Sequence, residues 1–379
     1  MQFDLSGRLV LRSDDDDQRI VRFIRRQMVP FQPTAEPPPT GSRSADVVLA
    51  PSIDDAGPIL EQQGPANDDL TTGTDGRRLF VLSDGRRCSI PDALEEGPIR
   101  FDYDPGFTLW RVFRTAVRPA SQVAFAASGR GVAVHAATVT IDGGAIVVAG
   151  WSETGKTETA LGLMELGASF LSDKWTLLGP DATASAFPIS VGIRRWALRY
   201  LPTLRSSLTR SARVQFRAAG VASLALEPVA NRSSGSRTAG MVADGARRVL
   251  AIGDRAAFEV DELRTAYGQT DDPERVAPVR LVVALRTIPG DDVRVQSAEP
   301  AEVAARLART AAYERRPYFE LLQRAGYALP DRPALRQDDA IAADEALLRA
   351  VFEKVPVMIV DAPFPTDPRR VADAILAAG

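Results

Sequence analysis

The stretch AIVVAGWSETGKTETALGLMEL, residues 145–166, changes within one short loop from a β-type run to a helical one. Ala145 to Ala149 are small or β-branched and apolar, the composition of a buried strand. From Lys156 onward the apolar residues fall at helical spacing. Between the two, Gly150-Trp-Ser-Glu-Thr-Gly155-Lys156-Thr157 fits the phosphate-loop (Walker A) pattern G-x-x-x-x-G-K-[ST] without a gap. Each position has a physical reason. The glycines let the backbone curl so that its N–H groups face phosphate, and the helix N-terminus adds the positive end of its dipole. Lys156 is placed to reach β- and γ-phosphate oxygens, and the Thr157 hydroxyl to ligate Mg²⁺. The nucleotide-binding set expected from this loop is Gly150, Ser152, Glu153, Thr154, Gly155, Lys156, Thr157 and Glu158. Glu153 and Glu158 are the odd members, because both are carboxylates beside an anion site.

The flanks extend the pattern. GVAVHAATVTID, residues 131–142, reads as a β-type run, and Asp142-Gly143-Gly144 is a tight-turn signal, so an antiparallel pair delivers the loop. The only histidine, His135, lies on that run. An antiparallel partner brings it to the loop end, within reach of a γ-phosphate. Beyond a helix stop at Gly167, ASFLSDKW is a third β-type run that ends in Asp173. A carboxylate there can hold Mg²⁺ or take a proton from an attacking hydroxyl; a turn-forming Asp is the plain alternative. Lys174 follows, facing either solvent or phosphate.

Composition narrows the rest. The 379 residues are 45% hydrophobic and 25% charged, the balance of a globular chain with a core, and the net charge of −3 exerts no pull toward nucleic acid or membrane. With Cys88 alone, no disulfide forms within the chain. The polar, acidic N-terminus lacks the pattern of a secretory signal, and no run reaches a membrane span, so a cytoplasmic setting is expected. The segment 31–75 is rich in Pro, Gly and small polar residues. RRLFVLSDGRRCSI reads as a hairpin, TLWRVFRTAVRPASQVAFAASG as a helix, and the acidic run Asp14–Asp17 as a solvated loop. A small N-terminal α+β domain is expected at 1–115 and a larger α/β domain at 116–379. Arg194 and Arg195 can clamp phosphate or an acidic acceptor, or simply be solvated. Arg237, in SSGSRTAG, can close a loop over the γ-phosphate.

The segment VHAATVTIDGGAIVVAGWSETGKTETALGLMELGASFLSDKW resembles the catalytic core of the HPr serine kinase/phosphorylase family and its smaller relatives, including kinases of peptide-maturation gene clusters. The matching positions are His135, Gly150, Ser152, Gly155, Lys156, Thr157, Glu158 and Asp173, and the run Gly155–Leu161 is the most specific. The resemblance covers roughly residues 131–178 and is absent from the N-terminal ~115. It implies a fold akin to phosphoenolpyruvate carboxykinase, ATP with Mg²⁺, and phosphoryl transfer to a hydroxyl of a peptide, protein or small alcohol. Asp173 would be the base, His135 the neighbour of the γ-phosphate, and Thr157 and Asp173 the metal ligands. Two positions depart from the family pattern. Lys174 stands where a second acid is common, and Glu153 where Gly is common. No counterpart of the dephosphorylating segment is visible, so HPr itself is not the expected substrate. The reading allows a homo-oligomer. Its alternative is a nucleotide-binding sensor or scaffold without transfer.

Overall fold

The computed structural model describes residues 1–34, 46–53, 55–64, 70–91, 97–208, 255–332 and 335–379. It is a mixed α/β structure. Its organising element is the strand Gly144–Gly150, buried on both faces. Ile146 and Val148 point into one apolar cluster, and Ala145, Val147 and Ala149 into another. That is why the sequence of this strand is a continuous apolar run with no polar alternation.

The strand pairs antiparallel with Ala136–Ile141 and parallel with Ala277–Thr287. Ala136–Ile141 in turn pairs antiparallel with Ser169–Ser172. Ala277–Thr287 continues the sheet in parallel to Val357–Ala362, which pairs antiparallel with Arg294–Ser297. At its N-terminal end Ala277–Thr287 also pairs Thr183–Ala186. Through Thr176–Leu178 this branch reaches Val132–Val134. The turn into the organising strand has Asp142 at φ 50° and Gly143 at φ 76°, the pair of positive values that a type I′ hairpin requires.

Helices cover both faces. On one, Lys156–Glu165 and Pro368–Ala378 pack through Leu161, Met164, Val371 and Ile375. On the other, Pro300–Glu314 and Gln337–Phe352 supply Val303, Leu307, Leu348 and Phe352. The N-terminal part contains a four-stranded sheet ordered Gln2–Leu5, Leu9–Ser13, Val47–Ala50, Ile99–Asp102. A second sheet, Glu61–Gln63 to Arg86–Ile90, is antiparallel throughout. Helix Gln18–Met28 starts where the Asp17 carboxylate accepts from the Arg19 amide. One apolar cluster joins Phe3, Phe101 and Phe113 to Trp175, Phe187 and Tyr318.

Two local readings are refined. The run GVAVHAATVTID is not one strand but two, Val132–Val134 and Ala136–Ile141, divided at His135 because each half pairs a different neighbour. The acidic run is only partly solvated. Asp15 is buried and accepts a 2.7 Å hydrogen bond from the Tyr103 hydroxyl. The helix expected over 108–129 forms from Trp110 to Ala127, with a π-helical turn at Phe113–Val117. Among the described residues no helix is long and apolar enough to cross a membrane.

Gly162 tests how closely the two helices on the phosphate-loop side must approach. A Cβ there would lie 2.5 Å from the Pro368 carbonyl oxygen. Helix propensity alone favours Ala over Gly by up to about 1 kcal/mol, but forcing the helices apart costs about 1–3 kcal/mol. Gly162→Ala is therefore expected to lower stability in urea unfolding, against its propensity.

Candidate active site

The strand Gly144–Gly150 ends at the phosphate-loop sequence, and helix Lys156–Glu165 leaves it. Gly150, at φ 149°, sits so close to the next strand that a Cβ would lie 2.7 Å from the Leu285 carbonyl oxygen. Gly155, at φ 90°, is the N-cap, and a Cβ there would press on the Phe364 ring at 3.0 Å. Both positions therefore need glycine. The first intrahelical bond runs from the Thr159 amide to the Gly155 carbonyl. The amides before it have no partner within the helix and form its anion-attracting end. The Thr154 hydroxyl donates to the Trp151 carbonyl at 3.0 Å and braces the loop.

Lys156 is almost wholly buried. Its ammonium donates to the carbonyls of Gly150 at 3.1 Å and Trp151 at 2.6 Å, so it points back into the curl of its own loop. Burial pulls its pKa down to about 8, against the opposing pull of Glu314, Asp173 and Glu158. The Thr157 hydroxyl donates to Asp173 Oδ1 at 2.7 Å. Asp173 is 2% exposed, and burial raises its pKa despite Lys174 and Thr157. Its Oδ2 is buried and has no hydrogen-bond partner among the described residues. The turn that carries Asp173 is held by the Trp175 amide on the Asp173 carbonyl, and by Ser172 Oγ between the Trp175 carbonyl and the Phe187 amide.

Glu153 lies at φ 64°, a left-handed conformation that costs a non-glycine residue about 1–2 kcal/mol. Its carboxylate is turned out of the loop and accepts from Arg194 Nη2 at 2.7 Å. Arg194 Nε is also 3.9 Å from the buried Glu158, and its guanidinium lies 5.5 Å from the Phe364 ring centre. Arg194 thus joins the loop, the first turn of its helix and the Phe364 segment. Arg195 opens the short 3₁₀ helix Arg195–Tyr200, one residue beyond the strand that ends in Arg194. Lys174, at φ 60°, acts electrostatically on both Asp173 and His135. Arg237 lies outside the described residues.

His135 precedes the first pair of the antiparallel ladder, Ala136 with Ala149, so it stands beside the loop end. It is 7% exposed and tilted against Trp175, with ring centres 5.3 Å apart. Burial, reinforced by Lys156, Lys174 and Arg315, pushes its pKa down to about 2, so the ring is neutral even with the Glu314 carboxylate 3.7 Å from Nδ1.

Sequence reading missed several participants. Glu314 ends helix Pro300–Glu314 and Arg315 caps it, and neither carries a local signal. Arg315 is 1% exposed, paired to Asp344 at 2.7 Å, and bonded to Gln122 and the Ala133 carbonyl. Tyr313 packs on Trp151 with ring centres 4.8 Å apart. Phe364 carried no local signal. Among the described residues no group of three or more His, Cys, Asp or Glu side chains is placed to hold a metal ion. The Thr157–Asp173 pair, with its orphan carboxylate oxygen, fits Mg²⁺, which takes only one or two protein ligands and completes its octahedron with water and phosphate oxygens.

His135 makes a stability prediction. The folded ring stays neutral, whereas the unfolded ring binds a proton below about pH 6.5. The unfolded state therefore gains protons as pH falls, and stability falls with it. From pH 7 to pH 5 this one residue costs about 2 kcal/mol. Urea unfolding at those two pH values should show His135→Asn losing less stability than the wild type by about that amount. No protein-family model matches the chain, and no curated protein matches it.

Proposed function

We propose that the chain is an ATP- and Mg²⁺-dependent kinase that transfers the γ-phosphoryl group to a hydroxyl, borne by a Ser or Thr of a peptide or protein or by a small alcohol. The observation that carries this reading is the 2.7 Å bond from the Thr157 hydroxyl to Asp173, directly after the loop lysine. A phosphate loop alone serves many proteins. A buried carboxylate held against its Thr adds the second half of a nucleotide–metal site. A phosphoenolpyruvate carboxykinase-like fold of the HPr kinase type belongs to the same proposal, supported by the order strand, loop, helix and Asp-bearing strand end.

In this reading the loop amides and Lys156 hold the β- and γ-phosphates. Lys156 exchanges two backbone carbonyls for phosphate oxygens as it does so. The Thr157 hydroxyl and Asp173 Oδ1 would hold Mg²⁺, which would supply charge neutralisation to the transferring phosphates. Asp173 Oδ2 accepts the proton of the acceptor hydroxyl. The oxygen of that hydroxyl bonds to the γ-phosphorus, and the bond to the β–γ bridging oxygen breaks, leaving ADP with the electron pair. Burial raises the proton affinity of Asp173, which suits it to this step. Oδ2 is buried, so the acceptor would reach it only through a side-chain shift at the site.

The test uses γ-labelled ATP with candidate peptides, proteins and small alcohols. Asp173→Asn is expected to slow transfer by at least about 100-fold, while ATP with Mg²⁺ still raises its melting temperature. At a concentration 100 times Kd the ligand adds about 2.7 kcal/mol of stability. Lys156→Ala is expected to lose both transfer and the thermal shift. Wild-type rates in Asp173→Asn would remove the base assignment, and a wild type whose melting temperature ignores ATP would remove the nucleotide site itself. A thermal shift without turnover on any acceptor would favour a sensor or scaffold.

A further inference from the structure

The end of helix Pro300–Glu314 is fixed to the site from both sides of Glu314. Tyr313 packs on Trp151 of the phosphate loop. Arg315 is buried and bonded to the Ala133 carbonyl, two residues before His135. Between these anchors, Glu314 presents Oε1 to His135 Nδ1 at 3.7 Å. Nδ1 is buried and has no hydrogen-bond partner among the described residues. The gap is about 0.8 Å longer than an ordinary N–H···O bond. Glu314 is 28% exposed and has room to close it.

The ring is neutral, so one nitrogen carries hydrogen and the other a lone pair. A lone pair on Nδ1 would face a carboxylate oxygen, acceptor against acceptor, and would leave a buried nitrogen unsatisfied. A hydrogen on Nδ1 turns the same contact into a charge-assisted bond. We propose that Glu314 is the positioning carboxylate of His135. It accepts from Nδ1–H and holds the imidazole in the tautomer whose Nε2 keeps the lone pair. The other charged groups acting on the ring, Lys156, Lys174 and Arg315, are all cations and cannot accept that hydrogen. Resting on the kinase reading, Nε2 then serves as a hydrogen-bond acceptor for the incoming hydroxyl and orients it without taking its proton.

His135 is the only histidine in the chain, so ¹⁵N-histidine labelling reads this ring without assignment. Two-bond ¹H–¹⁵N spectra distinguish the two tautomers directly and need no substrate. The wild type is expected as the Nδ1–H form. Glu314→Ala is expected to shift it to the Nε2–H form that prevails in water. Glu314→Gln, whose amide oxygen still accepts, is expected to keep Nδ1–H. An Nε2–H wild type overturns the proposal, as does an unchanged tautomer in Glu314→Ala. If the Ala variant fails to fold, the wild-type spectrum alone decides. In the transfer assay, Glu314→Ala is expected to lower kcat by about tenfold or more, and Glu314→Gln to recover most of it. A wild type that transfers no phosphate would end the kinase reading and leave the tautomer result standing.

Discussion

The guanidinium of Arg315 sits where four separate parts of the chain converge. It reaches Gln122 on helix Arg118–Ala127, the Ala133 carbonyl on strand Val132–Val134, and Asp344 on helix Gln337–Phe352, and it stacks over Trp175 at 5.3 Å. Taking such a charge out of water costs several kcal/mol, which only a full set of partners offsets. The pairing therefore works as a constraint more than as a source of stability. Any arrangement that separates these segments leaves a buried charge uncompensated, at about 3–5 kcal/mol. Burial raises the pKa of Asp344 in turn, against the opposing pull of Arg315 beside it.

From that fixed point the geometry of the site follows. Ala133 and Trp175 flank His135 and Asp173 in sequence, and both are held by the same guanidinium. On the far side of the loop, Arg194 holds Glu153, Glu158 and Phe364 together. The phosphate-loop sequence thus lies between two arginines with different work. The buried one fixes the strands below it, and the one 20% exposed pins the loop itself. Glu153, a carboxylate in a phosphate-loop sequence, becomes intelligible as the surface partner of the second.

The strand, loop and helix of residues 145–166 were legible because their signals are local. A strand buried on both faces is apolar throughout, a curl of amides needs glycine at set positions, and a I′ turn needs Asp-Gly. The placement of Asp173 at a strand end close to Thr157 was legible for the same reason, since it follows from distance along the chain. What was not legible depends on contacts from far away. His135 divides two strands that look like one, because the run on either side has the same composition and only the partners differ. Arg315 and Glu314 sit among other charged residues at a helix end, and nothing nearby announces that Gln122, 193 residues earlier, will bond one of them in the interior. Asp15 hides in an acidic run because the hydroxyl it meets belongs to Tyr103.

The ammonium of Lys156 occupies the interior of its own loop, held by the Gly150 and Trp151 carbonyls. In the free protein it is a placeholder that keeps the curl open at the width of a cation. On the proposed kinase reading, a triphosphate would enter by exchange with these carbonyls rather than by ordering a slack segment. The same exchange would run backward at the end of a cycle. As a diphosphate left, the two carbonyls would recapture the lysine, so part of what is lost on release would be recovered within the loop. Product departure would be eased by the same contact that holds the lysine in the loop.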